Sequence, residues 1–113
     1  MTPNQERIQT YNDGVAILLK CNDLGDPGDA PDLVYTEAGK LCYESRTVGV
    51  SRYYQAMQNN IRADLLLRLP RRDQVTIHDR IRIGETDYTI RQIQYPAEVR
   101  PRSMDLTLEA ITS

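Results

Sequence analysis

Hydrophobic and polar positions alternate most regularly between Val75 and Tyr95. Ile81 and Ile83 flank Arg82, Tyr88 and Ile90 flank Thr89, and Ile93 and Tyr95 flank Gln94, with an offset at Gln92 that predicts a β-bulge. Between the two arms lies Gly84-Glu85-Thr86-Asp87, whose glycine can take the positive φ of a tight turn. The pattern predicts a β-hairpin, with His78 on a strand between Ile77 and Asp79. A lone hairpin is at best marginally stable in water, so the apolar face of Ile81, Ile83, Tyr88, Ile90 and Ile93 requires more strands to cover it.

The rest of the chain supplies them. Asn12-Asp13-Gly14 signals a turn, and the apolar run Val15–Cys21 after it has the length of a buried strand. Residues 22–32 carry prolines, glycines and the aspartates Asp23, Asp26, Asp29 and Asp32 at a period of three, which predicts a long, solvated acidic loop. Leu33–Thr36 and Leu41–Tyr43 flank Glu37-Ala38-Gly39-Lys40 and predict a smaller hairpin. From Val50 the period changes: Val50, Tyr53, Tyr54, Met57 and Ile61 share one helical stripe, with Ser51 as N-cap and Asn59-Asn60 as terminator, predicting a single helix over 51–60. Residues 63–69 form a strand closed by Pro70, and Met104–Ala110 alternates as the last strand. Six to seven short strands with one short inserted helix predict a mainly β fold, a small β-barrel with long loops in which residues 1–113 make one domain.

Composition sharpens this picture. The chain has no Phe and no Trp, so its core is expected to be built from Leu, Ile and Val with the seven tyrosines as the only large rings. No run approaches the ~20 apolar residues of a membrane span, and the first residues lack the pattern of a secretory signal, so the chain is expected to be soluble and intracellular. Cys21 and Cys42 have no CxxC spacing and His78 is the only histidine, too few ligands for a zinc site. The acidic loop lacks the bidentate Glu that an EF-hand calcium loop requires. No nucleophile elbow, phosphate-binding loop or HExxH appears, so neither an enzyme nor a cofactor is expected. Glu85 and Asp87 read as solvated turn carboxylates. Arg68, Arg71 and Arg72 near one strand end, with Arg100 and Arg102 in a late loop, form a candidate positive patch for phosphate or an acidic partner. The net charge of −2 and the absence of aromatics among these arginines disfavour general nucleic-acid binding.

The segment Val48-Gly49-Val50-Ser51-Arg52-Tyr53-Tyr54-Gln55-Ala56-Met57, then Asp79–Gly84, Asp87-Tyr88-Thr89-Ile90-Arg91 and Leu106-Thr107-Leu108 resembles the head-closure (head–tail connector, or stopper) proteins of tailed bacteriophages. Ser51, Tyr53, Tyr54, Ala56, Gly84, Tyr88, Ile90 and Arg91 carry the likeness, which covers about residues 41–111, while Arg52 and Asn59-Asn60 depart from the family pattern. The resemblance implies a structural protein of a phage or prophage neck, in a ring of about twelve copies beneath the portal. Such a ring closes the DNA exit and connects head to tail. Its implied partners are the portal or adaptor, tail-side neck proteins and packaged DNA held without sequence reading, with no membrane. The implied location is the virion neck, and the host cytoplasm during assembly. Loops of such proteins reach the channel, and the loop of Asp23, Asp26, Asp29 and Asp32 suits a position beside sliding DNA because its charge repels phosphate. The alternatives are a neighbouring tail-completion protein, or an SH3-like or OB-like module binding nucleic acid or peptide through Arg68, Arg71 and Arg72.

Overall fold

The structure, a computed structural model, describes residues 8–46 and 64–111. Its strands are β1 (Gly14–Asp23), β2 (Leu33–Arg46), β3 (Leu65–Pro70), β4 (Arg80–Ile83), β5 (Thr86–Gln94) and β6 (Ser103–Ala110). Each pairs antiparallel with its neighbours in the order β1-β2-β3-β6-β5-β4, and β4 pairs back onto β1 to close a six-stranded barrel. Closure gives each strand a partner on both sides somewhere along its length, which is how so short a β domain limits exposed edges. The helix expected over 51–60 lies outside the described residues.

Alternating side chains fill the interior. Ala16 and Leu18, Leu41, Leu67 and Leu69, Ile81, Ile90, and Met104, Leu106 and Leu108 point inward from the six strands, with Val75 added from the loop after β3. Each fully buried Leu or Ile stabilises the fold by about 1.5–3 kcal/mol over its exposed state. Tyr43, Leu65, Ile83, Tyr88 and Ile93 ring this cluster, half-buried. The predicted hairpin forms as β4–β5 with a tighter turn: Ile83 pairs with Thr86, leaving Gly84 (φ 62°) and Glu85 to turn the chain. The bulge falls where the alternation slips, with the register shifting between Ile90 and Gln92.

Three local expectations are corrected. Residues 33–46 are one strand and not a hairpin: β1 pairs with them on both sides of Glu37–Lys40, and Ala38 is the extra residue of a bulge where Leu18 faces Gly39 and Leu19 faces Glu37. The turn-like composition there is absorbed by a kink because a longer ladder is available. Residues 76–79 form a turn and not a strand, with Asp79 N–H bonded to Thr76 O and His78 exposed. Asp87 is not simply solvated but lies in β5, where it accepts two hydrogen bonds from Arg82 at 2.6 and 3.2 Å. Those bonds, foremost the side-chain hydrogen bond itself, hold its carboxyl below the usual carboxylate range.

Candidate functional site

Because the strands alternate in direction, the ends of β1, β3 and β5 and the starts of β2, β4 and β6 share one rim. That rim gathers the acidic β1–β2 connection, the loop of residues 71–79 and the loop of residues 95–102. The opposite rim carries the Gly84-Glu85 turn and the start of β1.

The β1–β4 ladder stops at Leu19↔Arg80, whereas the β1–β2 ladder runs on to Asp23↔Leu33. A two-stranded arm, residues 20–36, therefore projects past the barrel wall. At its tip Asp23 Oδ1 accepts the N–H groups of Gly25 (2.9 Å) and Asp32 (3.0 Å), and Leu24 N–H bonds Asp32 O at 2.8 Å. The Gly25 bond first, then the Asp32 bond, lowers the Asp23 pKa. A Cβ on Gly25 would sit 2.7 Å from Ala30 O, so the tip closes this tightly only around a glycine. Asp26, Asp29 and Asp32 are exposed, as are Leu24, Leu33 and Val34. Among the described residues these carboxylates do not converge on a metal-ligating group.

Asp79, 1% exposed, fastens the arm to the rim. Its Oδ1 accepts Cys21 N–H at 3.0 Å, and Oδ2 accepts Thr76 N–H and the Lys20 ammonium, both at 2.9 Å. Burial pushes its pKa up, but the bonds from Cys21, Lys20 and Thr76 outweigh burial and hold it below the usual range. Lys20 also donates to Gln74 O, and the Arg80 guanidinium stacks 3.9 Å from the Tyr35 ring. Cys21 is half-buried on the arm and Cys42 exposed on β2, both free thiols.

Across the rim, the ends of β3 and β5 and the start of β6 frame a cleft of about 220 Å³ lined by Arg71, Tyr95, Val99, Arg100 and Arg102 among others. Arg71 N–H bonds Arg102 O at 3.0 Å, which brings the two loops together. The Arg71 guanidinium lies 4.4 Å from the Tyr95 ring centroid and donates to the exposed Asp73 at 3.0 Å. Among the described residues no carboxylate pairs with the side chains of Arg100 or Arg102. Of the predicted basic residues, then, Arg71, Arg100 and Arg102 converge, whereas Arg72 is exposed outside the cleft lining.

Arg68 is not part of that patch. It points outward from β3 into a buried pair with Asp105 of β6, two hydrogen bonds of 2.8 and 3.0 Å between side chains about a tenth exposed. The hydrogen bond to Asp105 raises its pKa further. The segment before β1 covers this face: Gln9 Oε1 accepts from Arg68 at 3.2 Å, and the Tyr11 hydroxyl meets Ser103 Oγ at 2.6 Å.

Of the residues that carry the family likeness, Gly84 makes the turn, Tyr88 and Ile90 pack on the core, and Arg91 pairs outward with Glu109 at 3.7 Å. Ser51, Tyr53, Tyr54 and Ala56 lie outside the described residues. Sequence reading passed over Asp79, Asp105 and Tyr95. Two acids inside otherwise apolar or alternating stretches were the available signal for the first two; for Tyr95 there was none until the fold placed it beside Arg71. No protein-family model matches the chain, and no curated protein matches it.

Proposed function

We propose that the protein is a ring-forming structural subunit of a phage or prophage neck, assembling beneath the portal to close the DNA exit and join head to tail. The observation that supports this reading is the acidic hairpin arm standing off the rim of a small closed barrel. Ring subunits need a rigid body and a reaching element, and here the barrel is the body and residues 20–36 the reach. The acidic arm as a whole disfavours adhesion to phosphate, as suits a ring around a channel through which DNA slides. The neck role predicts copurification with portal-bearing particles and no affinity of the free subunit for DNA. Particles built with a subunit lacking the arm tip should package DNA and lose it. Copurification failing from lysates that contain such particles refutes the proposal.

A second reading has one observation in its favour, the arginine cleft beside Tyr95: a small barrel module that binds nucleic acid. It predicts affinity of the free protein for DNA that falls steeply as salt rises.

A further inference from the structure

The cleft of Arg71, Arg100 and Arg102 is cationic, and among the described residues no carboxylate pairs with the side chains of Arg100 or Arg102. In the barrel order the arm strands β1 and β2 stand across from β5 and β6, with β3, whose end also frames the cleft, between β2 and β6. The arm's own bonds hold it to its own wall, through Asp79, Gln74 and Arg80. The chain thus presents an exposed acidic tip and an exposed basic cleft on one rim.

We propose that the arm tip of one copy seats in the arginine cleft of the next copy, Asp26 and Asp29 meeting Arg100 and Arg102. Charge complementarity selects this occupant. Within the tip Asp23 is already engaged by Gly25 and Asp32, leaving Asp26 and Asp29 with exposed carboxylates, and Arg100 and Arg102 are exposed guanidinium groups. Leu24 and Leu33, 65% and 51% exposed, sit beside these acids, and Tyr95, 47% exposed, sits beside the arginines, so a contact would bury apolar surface around the ion pairs. Two different patches of one chain joined in this way make a heterologous contact, which closes into a ring when its rotation permits. The proposal rests on the ring reading and names the contact that builds it. It also places one rim of every subunit toward the same side of the ring, with the arms tiled from copy to copy.

A charge swap on the full chain tests it. Asp26→Arg with Asp29→Arg reverses the arm, and Arg100→Glu with Arg102→Glu reverses the cleft; all four residues are exposed, Asp26, Asp29 and Arg102 in loops and Arg100 in a single bridge to Ile8, and circular dichroism verifies the fold. In sedimentation at low salt the wild type should self-associate with rising concentration, and each double variant alone should associate about tenfold or more weakly. Mixing the two variants should restore association, since each then offers the other a complementary partner, and added salt should weaken every restored contact. A wild type that stays monomeric to millimolar concentration overturns the proposal, as does association untouched by either reversal. A cleft reversal that abolishes binding to duplex DNA while leaving self-association intact overturns it in favour of a nucleic-acid site. The neck reading fails separately: charge-swap rescue without copurification with portal particles refutes the neck and keeps the contact, while copurification indifferent to both reversals does the opposite.

Discussion

β6 and the β1–β2 arm are both antiparallel β structure in one small chain, and they sit at opposite extremes of burial. From Ser103 to Leu108 every residue of β6 is buried, the inward Met104, Leu106 and Leu108 in the core and the outward Ser103, Asp105 and Thr107 under other parts of the chain. From Asn22 to Val34 nearly every residue is exposed. In β6 each buried polar group costs free energy unless it is bonded, and the side chains of Ser103 and Asp105 are, to Tyr11 and Arg68. On the arm, carboxylates and leucines face solvent and the ladder to β2 is the main restraint. The contrast teaches where this molecule keeps its stability and where it keeps surface for contact.

The largest expected effect lies in the β6 wall. Leu106→Ala removes a fully buried side chain from the centre of the core and should destabilise the barrel by about 3–5 kcal/mol, read from the denaturant midpoint. The outer face should respond almost as strongly. Arg68→Ala strands a carboxylate that is itself about a tenth exposed, and should lower stability by about 3 kcal/mol. An Arg68 variant unfolding at the wild-type midpoint would mean that the outer face of β6 is wet, and the contrast between wall and arm would collapse.

Asp79 lies at the boundary between the two regions. Asp79→Asn keeps the shape but loses the charge that accepts from Lys20, Cys21 and Thr76, and should cost about 2 kcal/mol. Because its folded pKa is depressed, its contribution is fully present above the unfolded carboxylate value near ~4 and is lost as pH falls from there through the lower folded value. The wild type should therefore lose its advantage over Asp79→Asn in that acid range. A constant gap between the two down to acid pH would show that Asp79 titrates alike in the folded and unfolded chains, its bonds doing no more than offsetting burial.

Much of the wall was readable from alternation alone, because Met104, Leu106 and Leu108, or Leu67 and Leu69, can face a core only as strands. The bulge at Ile90/Gln92 was readable for the same reason, as a slip in that alternation. Glu37-Ala38-Gly39-Lys40 misled because its composition is that of a turn, while its conformation is set by β1, a neighbour some twenty residues earlier in the chain. Arg68 looked like surface charge because its partner Asp105 arrives only through the β3–β6 register. The cleft was half visible: Arg71, Arg100 and Arg102 stood out as basic, but their convergence with Tyr95 depends on two loops meeting through the Arg71–Arg102 backbone bond.

The smallest expected effect on folding belongs to the arm tip, and it is the one that bears on function. Asp23 and Leu33 are paired across the arm, so residues 24–32 can be replaced by the two-residue turn Asn-Gly without disturbing the ladder below. The exchange removes Asp26, Asp29 and Asp32 together with exposed Leu24, and none of these contributes to the core cluster. The denaturant midpoint should move by less than about 0.5 kcal/mol, the range of surface changes that break no packed contact. Self-association of the free protein should be lost, and particles produced with the shortened arm should fail to hold their DNA. A shortened arm that unfolds the barrel would show that the tip covers the rim as part of the fold, and the division of labour between wall and arm would be wrong. Shortened protein that still self-associates would move the contact off the tip and onto the Leu33–Tyr35 flank of the arm.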